Sequence, residues 1–221
     1  LGIVEHFDLA GMRLDGVDFQ HVQIEAMKLA FADVYRYVAE TARMTVSAAQ
    51  LLDSGYLASR ARQIDMGRAQ HFEAGTPDDV HRRGGTIYLS AADERGMMVS
   101  FIQSNYMGFG SGVVEPTFGV SLQNRGAGFS LDAKHPNAVA PGKKPFHTII
   151  PAFLTKGGAP VMSFGVMGAH MQPQGHVQVL VNLVDFGMSL QEAGDAARFY
   201  HTDSSEPTGT LMTSGGMLHL E

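Results

Sequence analysis

Gly84-Gly85-Thr86-Ile87-Tyr88-Leu89-Ser90-Ala91, then Asp93-Glu94-Arg95-Gly96, then Met97-Met98-Val99-Ser100-Phe101-Ile102-Gln103-Ser104 is the stretch that decides the fold. The first and last runs favour extended backbone, and the polar residues between them form turns, which predicts a β-hairpin. Before it, residues 71–85 carry Gly75, Pro77, two aspartates and two arginines. That composition reads as an exposed, mobile loop. After it comes the glycine-rich Met107-Gly108-Phe109-Gly110-Ser111-Gly112, a short strand at 120–124, and a long loop holding Pro136, Pro141, Gly142 and Pro145. Strands are expected at 148–154 and 160–164, joined through Lys156-Gly157-Gly158.

Helical periodicity brackets these strands. Val22, Ile24, Ala26, Met27, Leu29, Ala30, Phe31, Val34 and Tyr35 recur near every third or fourth position, predicting an amphipathic helix from Val17 with Asp18 as N-cap. A second helix is expected from Thr45, capped by Ser47 and ending near 53–55, and a third over 57–64. Residues 175–186 are apolar with helical spacing, and Ser189 is placed to cap a helix over 190–197. Helices, then antiparallel strands, then helices indicate an α+β layered sandwich rather than a doubly wound sheet.

The 221 residues are 44% hydrophobic and carry a formal net charge of −6, with basic residues no denser than the pairs Arg82-Arg83 and Lys143-Lys144. Such a chain has no general attraction for nucleic acid or an anionic membrane, so neither is expected as a partner. There is no cysteine, which excludes disulfides and thiolate chemistry. No apolar run reaches the ~20 residues of a membrane span, and the start lacks the features of a signal peptide; the compartment is left undetermined. The chain opens at Leu1 in mid-pattern and closes on a strand-like Met217-Leu218-His219-Leu220, as a piece of a longer protein would.

Common catalytic signatures are absent. Gly108-x-Gly110 is followed by Val113 where a dinucleotide fingerprint needs glycine, and there is neither a P-loop nor a Gly-x-Ser-x-Gly elbow. His170 and His176 lack zinc spacing and read as core or solvated histidines. What remains is Thr86, at the junction of a polar loop and a strand. Cutting Gly85–Thr86 would free an α-amine with an unperturbed pKa of about 7.7–8. Threonine would then supply both nucleophile and general base. On its own, the pattern fits an ordinary strand start as well.

Several separated motifs change that balance. From Thr86 to about Phe199 the chain resembles the small-subunit start of the γ-glutamyltransferase family. The resemblance rests on Thr86 with Ser90, Asp93, Gly96 and Ser100; on Phe109-Gly110-Ser111-Gly112; and on Pro136-Asn137-Ala138-Val139-Ala140-Pro141-Gly142-Lys143-Lys144-Pro145. It continues through Ile150-Pro151, Gly165-x-x-Gly168, Asp185-Phe186-Gly187-Met188-Ser189 and Ala197-Arg198-Phe199. Residues 1–85, with Leu51-Leu52-Asp53-Ser54-Gly55-Tyr56, look like the end of the large subunit, and 86–221 like a small-subunit β-sandwich core with following helices, cut short.

The resemblance implies an αββα N-terminal-nucleophile sandwich, present as an incomplete piece, that matures from a zymogen by cutting itself before Thr86. It implies a hydrolase or acyltransferase acting through a Thr86 acyl-enzyme, as in glutathione metabolism, with no metal or organic cofactor. Ser104 aligns with a second hydroxyl that hydrogen-bonds the nucleophile. Gly168 and Ala169 align with a glycine pair whose amides form the oxyanion hole, and Asn105 is placed to line the site. The implied partners are a small-molecule amide and the absent large-subunit segment, with a homo-oligomer left open.

This chain departs from the family's pattern where γ-glutamyl enzymes hold the donor. Arg125 and Gly128 stand at the positions of a glutamine and an aspartate that bind the α-ammonium, Tyr106 replaces an asparagine, and His147-Thr148 replaces a serine pair. Gln103-Ser104-Asn105-Tyr106-Met107 and Gln123-Asn124-Arg125-Gly126 look more like the branch that includes oxamate amidohydrolase. A guanidinium at 125 offers a fork to a small carboxylate; a surface salt bridge is the equal alternative. Three readings follow: a γ-glutamyl enzyme, an amidohydrolase for a small anionic amide, or an inert truncated product.

Overall fold

The structure is a computed structural model that describes residues 1–72, 86–202 and 216–221. It is of the α+β class. In chain order, α1 spans Val17–Tyr37, α2 Ala48–Leu51, α3 Ser54–Ala61, β1 Thr86–Ala92, β2 Met98–Ser104, β3 Val114–Glu115 and β4 Val120–Ser121. There follow β5 Ala152–Lys156, β6 Ala159–Phe164, α4 Met171–Val184, α5 Leu190–Asp195, β7 Phe199–Thr202 and β8 Met217–Leu220. The strands form four antiparallel pairs, β1–β2, β3–β4, β5–β6 and β7–β8. No helix among the described residues is long and apolar enough to cross a membrane.

The described chain falls into two compact units, and this division is independent of one at residue 85. The first comprises residues 1–72, 128–146, 177–202 and 216–221. Its core runs along α1, where Phe19, Val22, Ala26 and Leu29 meet Ile3, Val4, Leu9, Ala61, Ile64 and Val181. Phe186 closes edge-on against Phe19, with ring centroids 5.3 Å apart. The same helix buries charge. Glu25 and Lys28 pair at 2.6 Å and both grip the backbone of Gln70, while Arg60 pairs with Asp33 at 3.0 Å. Removing one member of such a buried pair costs about 3–5 kcal/mol.

Several boundaries differ from those expected. Gly16, with no side-chain bond, is the N-cap of α1, and Asp18 lies inside its first turn. Ser47 does cap α2, in a capping box with Gln50, but that helix lasts one turn. Asp53 then caps α3, so Gly55 is helical instead of marking a helix end. The loop expected over 71–85 is exposed at His71, but Phe72 is buried in the core, since burying an aromatic ring outweighs the polar composition around it. Residues 73–85 lie outside the described residues. Ser189 caps α5 in a box with Glu192, as expected.

The second unit comprises residues 86–127 and 147–176. The β1–β2 hairpin holds full register from Thr86↔Ser104 to Ala92↔Met98. Alternation puts Thr86, Tyr88 and Ser90 on one face and Ile87 and Leu89 on the other. The first face meets β6. Ser90 and Ser163 hydroxyls lie 2.5 Å apart, and the Tyr88 hydroxyl bonds Ser100 at 2.9 Å. Gly165 is obligatory there, because a Cβ would stand 2.3 Å from the Tyr88 ring. On the other face Ile87, Leu89, Val99 and Phe101 remain exposed. Gly157 and Gly158 take φ of +58° and +82° and close the β5–β6 turn. Residues 148–151 precede β5 without joining it, and α4 begins four residues before the expected Gly175, with Pro173 in its first turn.

Candidate active site

Thr86, Ser104, Asn105, Tyr106, Arg125, His147, Thr148, Gly168 and Ala169 fall in the second unit, and Gly128 in the first. Thr86 is the first residue of β1, partly buried, and pairs directly across the hairpin with Ser104, the last residue of β2. Directly opposed residues share a face with Cβ atoms about 4.5–5.5 Å apart, within reach of two hydroxyls.

Ser104 is held by Arg125. The guanidinium donates from Nη2 to Ser104 Oγ at 2.6 Å and from Nη1 and Nη2 to the Ser104 carbonyl at 3.1 Å each. Its Nε donates to Thr148 Oγ1 at 2.9 Å. Arg125 is 8% exposed, and burial lowers its pKa from the usual arginine value. Among the described residues it has no acidic partner. Among the described residues, its fork is engaged by Ser104 and Thr148. The Tyr106 ring lies 5.9 Å from its guanidinium carbon, close enough for a cation–π contact.

Tyr106 is itself buried and holds φ at +77°, a conformation that asparagine tolerates better than tyrosine. Its amide donates to Ser104 Oγ at 3.4 Å. Asn105, partly buried, accepts from the Asn124 amide at 3.1 Å through its carbonyl. The Asn124 side chain in turn staples the glycine-rich loop, bonding Met107 N and O and Gly110 O at 3.0, 3.3 and 3.1 Å. His147 is exposed, its Nδ1 accepting from Ile149 N at 3.3 Å, whereas Thr148 is buried.

Gly168 and Ala169 form the turn that enters α4, at φ of +110° and +52°. Their carbonyls accept from Met171 N at 2.9 Å and Gln172 N at 3.1 Å. Their own amides have no acceptor among the described residues. Two free N–H groups at a helix entrance are suited to hold a developing oxyanion. His170, next in sequence, is pushed down to about 4 because its ring is enclosed: Nε2 is buried although the residue as a whole is partly exposed. His176 is also lowered by burial, and its Nε2 accepts from Val166 N at 3.2 Å, which fixes a neutral ring. Both are core histidines.

Gln172 is the residue that sequence reasoning missed. It is fully buried in the first turn of α4, and its amide spans a strand-like segment, accepting from Ile150 N at 2.7 Å and donating to Thr148 O at 2.9 Å. A hydrogen-bonded chain thus runs from Ser104 through Arg125, Thr148 and Gln172 to the Gly168-Ala169 turn. The only signal in the sequence was a pair of glutamines flanking Pro173 at the head of an apolar helix.

Residues 1–212 match the family model described as gamma-glutamyltranspeptidase. A glutathione hydrolase-like YwrD proenzyme of Bacillus subtilis is 35% identical over 87% of the chain, which corresponds to 36% of that protein. An oxamate amidohydrolase proenzyme of Klebsiella pneumoniae is 38% identical over 87% of the chain and 35% of its own length. Among solved structures, a cephalosporin acylase from Bacillus halodurans is 51% identical, with a TM-score of 0.79 over 91% of this chain and 37% of that one. The chain spans about a third of the length of the curated relatives it matches.

Proposed function

The chain belongs to the gamma-glutamyltranspeptidase family, and from that premise we propose that it carries the nucleophile of an N-terminal-nucleophile amide hydrolase or acyltransferase, with Thr86 attacking the amide carbonyl. The observation that carries this reading is the pairing of Thr86 with Ser104 at the open end of the β1–β2 hairpin. Cleavage of Gly85–Thr86 frees the Thr86 α-amine, which takes the hydroxyl proton as Oγ1 bonds to the carbonyl carbon. The Gly168 and Ala169 amides receive the oxyanion. As the intermediate collapses, the α-ammonium gives its proton to the substrate nitrogen, which leaves as an amine, and an ester remains on Thr86 for water or a second amine to resolve. His147 and Thr148 stand where the family's serine pair supports the donor, and Asn105 and Tyr106 line the same end of the hairpin. The exposed face bearing Ile87, Leu89, Val99 and Phe101 supports the finer fold reading, an αββα sandwich in which a further layer covers it.

A second observation favours one substrate class. The buried Arg125 cation has no acidic partner among the described residues and stands where γ-glutamyl enzymes hold a donor ammonium with a glutamine, their aspartate being replaced by Gly128. A buried, uncompensated cation repels that ammonium and attracts an anion. We therefore favour a small anionic amide over glutathione. The names of the relatives span both kinds of substrate.

The test uses the full-length protein. Intact mass is expected to show two chains split before Thr86, and Thr86→Ala to yield one uncut, inactive chain. The value of kcat/KM is expected to favour oxamate over a γ-glutamyl anilide. Activity surviving in Thr86→Ala sinks the nucleophile, and a strong preference for the anilide sinks the substrate class alone.

A further inference from the structure

We propose that Arg125 is a positioning residue for the nucleophile: by filling a lone pair of Ser104 Oγ, it obliges the Ser104 hydroxyl to act as hydrogen-bond donor to the Thr86 oxygen. This rests on the reading of Thr86 as nucleophile and adds a role that the family resemblance does not assign to position 125.

A serine hydroxyl has one hydrogen and two lone pairs. Arg125 Nη2 fills one lone pair at 2.6 Å and the Tyr106 amide approaches the other at 3.4 Å. The hydrogen is then the valence left over. Hairpin register places Thr86 directly opposite on the same face, and its hydroxyl oxygen is taken as the acceptor. Were Ser104 Oγ free to accept, it would compete with the α-amine for the Thr86 hydroxyl hydrogen and hold it away from the base. With its lone pairs occupied by N–H donors it cannot. The Thr86 proton is left for the amine, and Ser104 keeps its own proton throughout, its bond strengthening as charge builds on Thr86 Oγ1. Donation from a cation also polarises the Ser104 O–H, as in any hydrogen-bond chain.

The geometry fits this role better than carboxylate capture by the fork. Nη1 and Nη2 converge on the Ser104 carbonyl, and Nε is committed to Thr148, whose carbonyl is pinned by Gln172. Arg125 can still influence an anionic substrate through its charge, but its donors point at Ser104.

A double-mutant cycle on the full-length enzyme tests this. Arg125→Gln and Arg125→Lys are each made with Ser104 intact and with Ser104→Ala, and kcat and KM are read separately for whichever of oxamate or a γ-glutamyl anilide the parent turns over. With Ser104 present, Arg125→Gln is expected to lower kcat roughly 10- to 100-fold. Arg125→Lys, which keeps one charged donor, is expected to recover part of it. In the Ser104→Ala background the same arginine changes are expected to alter kcat less than about 3-fold, because the intermediary is gone. Equal kcat losses in both backgrounds overturn the proposal. A loss confined to KM that persists without Ser104 also overturns it and assigns Arg125 to the substrate. If Arg125→Gln fails to fold, Arg125→Lys carries the cycle. If variants stall before maturation, the rate of chain splitting, in which the Ser104 hydrogen bond steadies the charge that builds on Thr86 Oγ1, is read in place of kcat with the same two outcomes. An active, Thr86-dependent parent with an additive cycle overturns only this inference; turnover without Thr86 overturns the reading beneath it.

Discussion

Ala169 sits at φ +52°, in the left-handed region, where its Cβ costs about 1–2 kcal/mol relative to a right-handed conformation. The turn tolerates this because the carbonyls of Gly168 and Ala169 are tied to the first turn of α4, while both amides have no acceptor among the described residues. Ala169→Gly is expected to raise stability by up to about 1 kcal/mol, the strain relieved less the entropy of an added glycine, as read from a urea midpoint. Activity is expected to persist, since the donors are backbone groups. At Thr86 the expectation concerns pH. If the freed α-amine is the base, only its neutral form works, so kcat/KM should climb with pH through an apparent pKa at or below about 7.7–8. The nearby Arg125 charge disfavours the ammonium and acts toward the lower side. A rate profile measured from pH 5 to 9 checks this, and a flat one removes the amine from the mechanism.

Among the elements, α4 shows what local pattern can and cannot reveal. Its apolar residues announced a helix, but Gln174, Gln178 and Asn182, spaced four apart, form a buried polar stripe. Gln178 satisfies both backbone groups of Phe199 at the start of β7, donating to its carbonyl at 3.1 Å and accepting from its amide at 3.0 Å. A periodicity reading turns Gln178 outward, because what rewards its burial lies 21 positions away in the chain. For the same reason β7, whose partner β8 is remote in sequence, was not foreseen, whereas the β1–β2 hairpin was, its register being set by its own turn. The candidate site divides likewise. Thr86, Ser104, Gly168 and Ala169 were legible as a motif, but Arg125's attachment to Ser104 and the whole role of Gln172 depend on contacts between distant segments. Replacing Gln178 with Leu leaves the two Phe199 groups unsatisfied at about 1–3 kcal/mol each. A loss of about 2 kcal/mol or more in equilibrium unfolding is therefore expected.

At the scale of the molecule, burial holds His170, His135 and His176, among the described residues, below their usual pKa, His170 at about 4. Below pH 6.5 the unfolded chain takes up protons that these folded rings refuse, so stability is present above that pH and drains away as pH falls toward 4. Asp33, raised by burial, contributes with the opposite sign near its own carboxylate range. The melting temperature is expected to rise from pH 4 to 6.5 and then level, and His170→Gln to flatten the rise. Gln172 offers a view of the same molecule without any titration. The Ile150 amide is bonded at 2.7 Å to a side chain, so its exchange with deuterium measures how often the first turn of α4 lets go. Gln172→Leu should speed exchange at Ile150 selectively, leaving the β1–β2 amides protected, and ligands that seat an oxyanion on the Gly168-Ala169 turn should slow it. A single backbone proton would thereby count the fraction of molecules in which the Gly168-Ala169 turn is assembled.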